Sequence, residues 1–105
     1  MLQINESSDG QEITLPIDQM LEICLRENPT TGFRWSLEAK GEPACVFVKD
    51  FFESVSDAPG RGGNHHWQFQ TARVGLGTIE LSYLRSWEKE KAPAQTFTLR
   101  VRVLK

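Results

Sequence analysis

A chain of 105 residues has room for one hydrophobic core and no second folded unit. With 39% hydrophobic and 25% charged residues and a formal net charge of −2, it has the make-up of an ordinary globular domain and no basic field to hold nucleic acid. No apolar run is long enough to cross a bilayer, so neither nucleic acid nor a membrane is an expected partner.

The opening residues, MLQINESSDGQEITLPIDQ, lack a basic segment followed by an apolar one. As written the chain reads as cytoplasmic, and as periplasmic or secreted if a leader was removed from its precursor. Within this stretch LQIN and QEITL form a broken first strand. Ile17, Gln19, Leu21, Ile23 and Leu25 then keep one parity while Glu22, Cys24 and Arg26 keep the other, which predicts a strand B from Leu21 to Arg26. After NPTTG the alternation resumes with Phe33, Trp35 and Leu37 as strand C, and assigns Phe33 and Trp35 to the core. In ACVFVKDFF, strand D near Val46 to Phe52, both parities carry apolar groups and the facing stays open.

Strand E, His65 to Thr71, turns Trp67 and Phe69 inward and His66, Gln68 and Gln70 outward. Strand F, Thr78 to Leu84, aligns Ile79, Leu81 and Tyr83 on one face. In strand G, Gln95 to Leu104, Phe97, Leu99, Val101 and Val103 alternate with Thr96, Thr98, Arg100 and Arg102. No segment carries a helical stripe. Short strands separated by Gly, Pro, Asn and Asp indicate an all-β fold, with long loops that suit a two-sheet stack. The expectation is a single immunoglobulin-like antiparallel β-sandwich of Greek-key type over residues 1–105, with loops BC, DE and FG on one edge.

No nucleophile elbow, phosphate loop or metal-ligand spacing occurs, so the chain is not expected to be an enzyme or to hold a metal or cofactor. Cys24 and Cys45 read as free thiols, a bridge depending only on their separation. His65 and His66 are adjacent in a strand and point to opposite faces, unable to chelate one ion together.

Three loops are unusual. In NPTTG, Pro29 fixes a backbone angle, Asn28 is pushed towards extended geometry and Gly32 supplies a positive φ, giving a stiff tip with Thr30 and Thr31 exposed. A plain turn is the alternative reading. The glycines of PGRGGN either mark a flexible loop tip or let backbone approach a partner closely. Trp87, among charged and turn-forming residues, either caps the core or anchors a contact.

Taken in order, NPTTGFRW, GRGG and RSWE resemble the loop motifs of the chagasin-like inhibitors of papain-family cysteine proteases, and the resemblance spans nearly the whole chain. The family resemblance implies an immunoglobulin-type sandwich whose BC, DE and FG loops carry NPTTG, G-x-G-G and R-P-W motifs and form a tripartite wedge. Carried onto this sequence, it puts Asn28, Pro29, Thr30, Thr31 and Gly32 in the central loop, with Thr31 nearest the catalytic thiol. Gly60, Arg61, Gly62 and Gly63 would line one side of the cleft by backbone contacts, and Arg85 and Trp87 the other. Ser86 stands where the family motif has Pro.

What the resemblance implies is reversible, tight-binding inhibition by a steric wedge, with a papain-family (cathepsin-like) cysteine protease as partner and a monomer when free. The alternative is an immunoglobulin-like adhesion or ligand-binding module using the same loops.

Overall fold

The computed structural model describes residues 1–55, 62–85, 87–88 and 91–105. Among the described residues, eight strands form two four-stranded sheets. One has the order β1 (Leu2–Ile4), β3 (Met20–Glu27), β6 (Gly63–Thr71), β5 (Cys45–Ser54); the other has β2 (Glu12–Pro16), β8 (Gln95–Leu104), β7 (Gly75–Arg85), β4 (Phe33–Lys40). Strands B to G of the sequence reading are β3 to β8 in turn, and the all-β sandwich is as expected.

The first strand breaks because its halves belong to different sheets. β1 pairs parallel with β3 and β2 pairs parallel with β8, while every other pairing is antiparallel. The crossing is made by a 3-10 turn, Glu6–Ser8, whose Asn5 side chain accepts the Ser7 N–H at 2.9 Å. Asp9 then accepts the Thr98 N–H at 2.9 Å and ties the crossing to β8. Each half-strand thus closes one edge of a sheet that would otherwise expose unpaired amides.

Leu21, Ile23 and Leu25 meet Trp67, Phe69, Ile79, Leu81, Phe97, Leu99, Val101 and Val103 in one buried core. These are the inward parities read from the sequence. Each such side chain contributes roughly 1.5 to 3 kcal/mol on burial, so the alternation is the main stabilising pattern of the fold.

The facing of β5 is decided by a bulge. Phe47 pairs with the inward Phe69 and Lys49 with the outward Gln68, so Val48 is extra. From there the parity is reset: Asp50 and Phe52 lie opposite Trp67 and His65, and Phe51 lies opposite His66. β4 carries a second bulge between Leu37 and Ala39. Both full-length edge strands are therefore interrupted, which discourages pairing with other chains.

At the end away from BC, DE and FG, Thr71 is fully buried, donating to the Pro16 carbonyl at 2.6 Å and accepting the Gln19 N–H at 2.9 Å. Nearby the Ala72 N–H donates to the Ala44 carbonyl at 2.8 Å and the Cys45 N–H to Gly41 at 2.9 Å. Cys24 and Cys45 are free thiols. Burial pushes the Cys45 thiol up to about 11. Burial, then the carboxylates of Glu6, Glu22 and Glu53, raises Cys24 as well.

Candidate functional site

The BC loop is braced by its own sequence. Pro29–Thr31 form a 3-10 turn capped by Asn28, whose Oδ1 accepts from the Thr30 N–H at 3.2 Å and from the Thr30 hydroxyl at 2.6 Å. Thr31 donates both its N–H (3.1 Å) and its hydroxyl (2.7 Å) to the Asn28 carbonyl, and the Gly32 N–H closes on Pro29 at 3.0 Å. Gly32 ends the turn in the left-handed region at φ +84, which a side chain rarely adopts. Thr30 and Thr31 are exposed; Asn28, Pro29 and Gly32 are half-buried. The motif is a stiff tip, as its residue types predict.

Beneath the tip the loop is fixed by long-range bonds. Glu27, with a side chain only 2% exposed, accepts the Trp35 N–H at 2.8 Å and so clamps the two strands entering and leaving the loop. The indole N–H of Trp35 donates to the Arg26 carbonyl at 2.8 Å, and Tyr83 accepts the Asn28 N–H at 3.1 Å. Glu27, Asn28, Trp35 and Tyr83 help line a cavity of about 180 Å³ under the loop root. Trp35 is buried, as the alternation requires. Phe33 is not: it is half-buried at the rim, stacks on Tyr83 with ring centroids 5.3 Å apart and carries the Arg85 guanidinium 4.3 Å above its ring. Its assignment to the core is corrected to a shelf, because it is the first residue of β4, at the end of the sheet.

The FG loop leans on the BC loop. Arg85 donates from Nε to the Thr31 carbonyl at 3.2 Å and reaches Glu88 at 3.4 Å. The six-membered ring of Trp87 occupies the space where a Cβ on Gly32 would stand, and the residue keeps 66% of its surface exposed. It does not cap the core. On the other flank a Cβ on Gly62 would lie 2.8 Å from the Glu27 carbonyl oxygen and 3.1 Å from Asn28, so the chain following the DE turn rests against the BC root. Gly63 packs more closely still, a Cβ there falling on the Glu53 carbonyl.

The structure thus brings Asn28, Pro29, Thr30, Thr31, Gly32, Gly62, Gly63, Arg85 and Trp87 to one end of the sandwich in mutual contact. Gly60, Arg61 and Ser86 lie outside the described residues. His65 and His66 do face opposite ways. His65 stacks on the buried Trp67, with centroids 4.0 Å apart, and His66 stacks on Phe51 at 4.6 Å.

Sequence reasoning passed over Glu27, and placed Tyr83 on one face of strand F without a part in the loop. Glu27 had a signal: it continues the inward parity of Leu21, Ile23 and Leu25, and a carboxylate in such a position needs buried partners. Chemically the tip offers hydroxyl lone pairs, a stacked cation and a large exposed indole. Among its described residues it carries no nucleophile beside a base. Such a surface can fill and cover a groove.

The family model described as Chagasin family peptidase inhibitor I42 matches residues 14–101. Amoebiasin-1 of Entamoeba histolytica is 34% identical over 107 residues, covering 97% of this chain and 99% of the relative. The crystal structure of the cysteine protease inhibitor EhICP2 from the same organism superposes with a TM-score of 0.85 at 26% identity, over 98% of this chain and 94% of that one. PbICP-C, solved in complex with falcipain-2, shares the fold with a TM-score of 0.67 at 21% identity, over 97% of this chain and 89% of that one.

Proposed function

Because the chain belongs to the chagasin family of peptidase inhibitors, we propose that it is a reversible, tight-binding inhibitor of papain-family cysteine proteases that fills the active-site cleft with its BC, DE and FG loops. The observation that carries this reading is the unbroken contact from Trp87 through Gly32 and Asn28 to Gly62, which makes separate loops into one rigid edge. A preformed edge loses little entropy when it enters a groove.

The BC tip also explains how an inhibitor resists its target. Attack by a thiolate needs an accessible carbonyl with an open face. Hydrogen bonds from Thr31, Gly32 and Arg85 to the carbonyls of Asn28, Pro29 and Thr31 keep the tip in a tight turn, out of the extended geometry that presents a carbonyl carbon to a nucleophile. In the cleft Thr31 would stand nearest the nucleophile, backed by turn backbone rather than an extended, cleavable strand. Trp87 and Arg85 would cover one flank, and the backbone around Gly62 and Gly63 the other. A protease and inhibitor interface of ordinary size buries about 1,600 Å² in total.

The test is a panel of papain and cathepsin-like enzymes titrated with the purified protein. Competitive inhibition, with the inhibitor recovered uncleaved, is the expected outcome. Full protease activity across the panel at micromolar excess, or a cleaved inhibitor, would overturn the proposal. An adhesion module built on the same loops would give the first of those results.

A further inference from the structure

We propose that His65 is a positioning residue for the loop edge, a proton-operated brace that tightens protease inhibition as pH falls. The inference rests on the inhibitory reading above.

The geometry is a chain of three side chains on the inner face of one sheet. His65 Nδ1 lies 3.0 Å from Glu27 Oε1 and Nε2 lies 2.6 Å from Asp50 Oδ2. The bulge at Val48 creates it, since without that extra residue Asp50 would face outward. Ionised carboxylates only accept hydrogen bonds. Both contacts can be made together only by a ring that donates from both nitrogens, which is the imidazolium. A neutral ring has one N–H and must leave one lone pair against a carboxylate oxygen.

Either choice loosens the edge. If the neutral ring keeps Asp50, its Nδ1 lone pair opposes Glu27, whose other oxygen holds the Trp35 N–H at 2.8 Å and whose carbonyl abuts Gly62. If it keeps Glu27, Asp50, with a side chain 46% exposed, can turn to water and release β5 from the brace. Glu27 has no such escape, being buried. Protonation takes one proton from solvent and closes both struts, and a loop edge held before binding pays less ordering cost in the complex.

Among the described residues, the charged groups against the His65 ring are Glu27 of β3 and Asp50 of β5; Phe52 of β5 and Trp67 of β6 supply its aromatic neighbours. His66, on the outer face, is the internal contrast. It lies 2.8 Å from Glu22 and 3.5 Å from Glu53, yet neither ring nitrogen makes an aligned hydrogen bond.

The experiment measures inhibition constants of wild type, His65→Gln, Asp50→Asn and His66→Gln against papain between about pH 5 and 8, the range in which histidine changes charge. Every variant is compared with wild type on the same protease at the same pH, which cancels the protease's own titration. The wild type should gain on His65→Gln by on the order of fivefold between the two ends of the range, the low end of typical coupling between sites. Asp50→Asn should flatten the profile, since an amide can donate to a neutral ring. His66→Gln should keep the wild-type slope.

A wild-type to His65→Gln ratio that stays constant with pH, or a slope abolished by His66→Gln, would overturn the brace while leaving inhibition itself established. Absence of inhibition at every pH would instead overturn the function on which it rests. Should His65→Gln fail to fold, Asp50→Asn decides alone: a slope as steep as wild type's rejects the proposal.

Discussion

The two ends of the sandwich use close backbone approach for different purposes. At the closed end a Cβ on Gly77 would strike the Gly41 carbonyl, Cys45 is buried, and Thr71 stitches three segments together. At the loop end Gly32 admits Trp87, most of whose surface stays in water, and Gly62 admits the BC root. The first arrangement removes surface from solvent and serves stability. The second holds a large side chain outward in water, the arrangement the proposed contact surface needs.

The comparison predicts that stability and inhibition separate by end. The largest effect belongs to Gly77→Ala, which must push back a backbone carbonyl: unfolding free energy should fall by about 3 kcal/mol. Inhibition per folded molecule should hold, and urea titration beside active-site titration checks both. Trp87→Ala should show the reverse, weakening inhibition by about 2 kcal/mol, roughly 30-fold, with the urea midpoint unmoved. An unchanged inhibition constant would take Trp87 out of the contact surface.

Asn28→Ala removes the cap of the BC turn and should cost about 1 kcal/mol. If the tip is stiff for binding, that loss appears mainly as weaker inhibition; if it appears wholly in the urea midpoint, the two ends are not distinct. The last effect lies at the closed end and depends on pH. Burial raises the Cys45 thiol from 9.0 to about 11, so the unfolded chain ionises first and stability falls as pH rises from 9.0 through that value. Cys24, raised in the same direction, adds to the slope. Cys45→Ala should make the fall between pH 8 and 10.5 shallower without altering inhibition at neutral pH.

Much of the fold was legible because core strands obey a strict period of two. The parity of Phe97 to Val103 and of Leu21 to Leu25 is the core as found. The stiffness of NPTTG was legible too, since its cap, fixed angle and positive φ are local properties of Asn28, Pro29 and Gly32. β5 was not legible: one bulged residue inverts every side chain after it, and nothing in ACVFVKDFF marks Val48 as the extra one. Phe33 was misplaced because parity gives the face of a sheet and not the distance from its end.

Sequence by itself therefore determined the strands, the turn at the tip and, through the ordered loop motifs, the family. Only tertiary structure decided that Trp87 rests on Gly32, that Gly62 rests on the BC root, and that Glu27, His65 and Asp50 meet. The physical reason is range. Periodicity, capping and turn chemistry act over a few neighbouring residues, whereas these contacts join strands far apart in the chain, and their geometry exists only once both sheets have closed on the core.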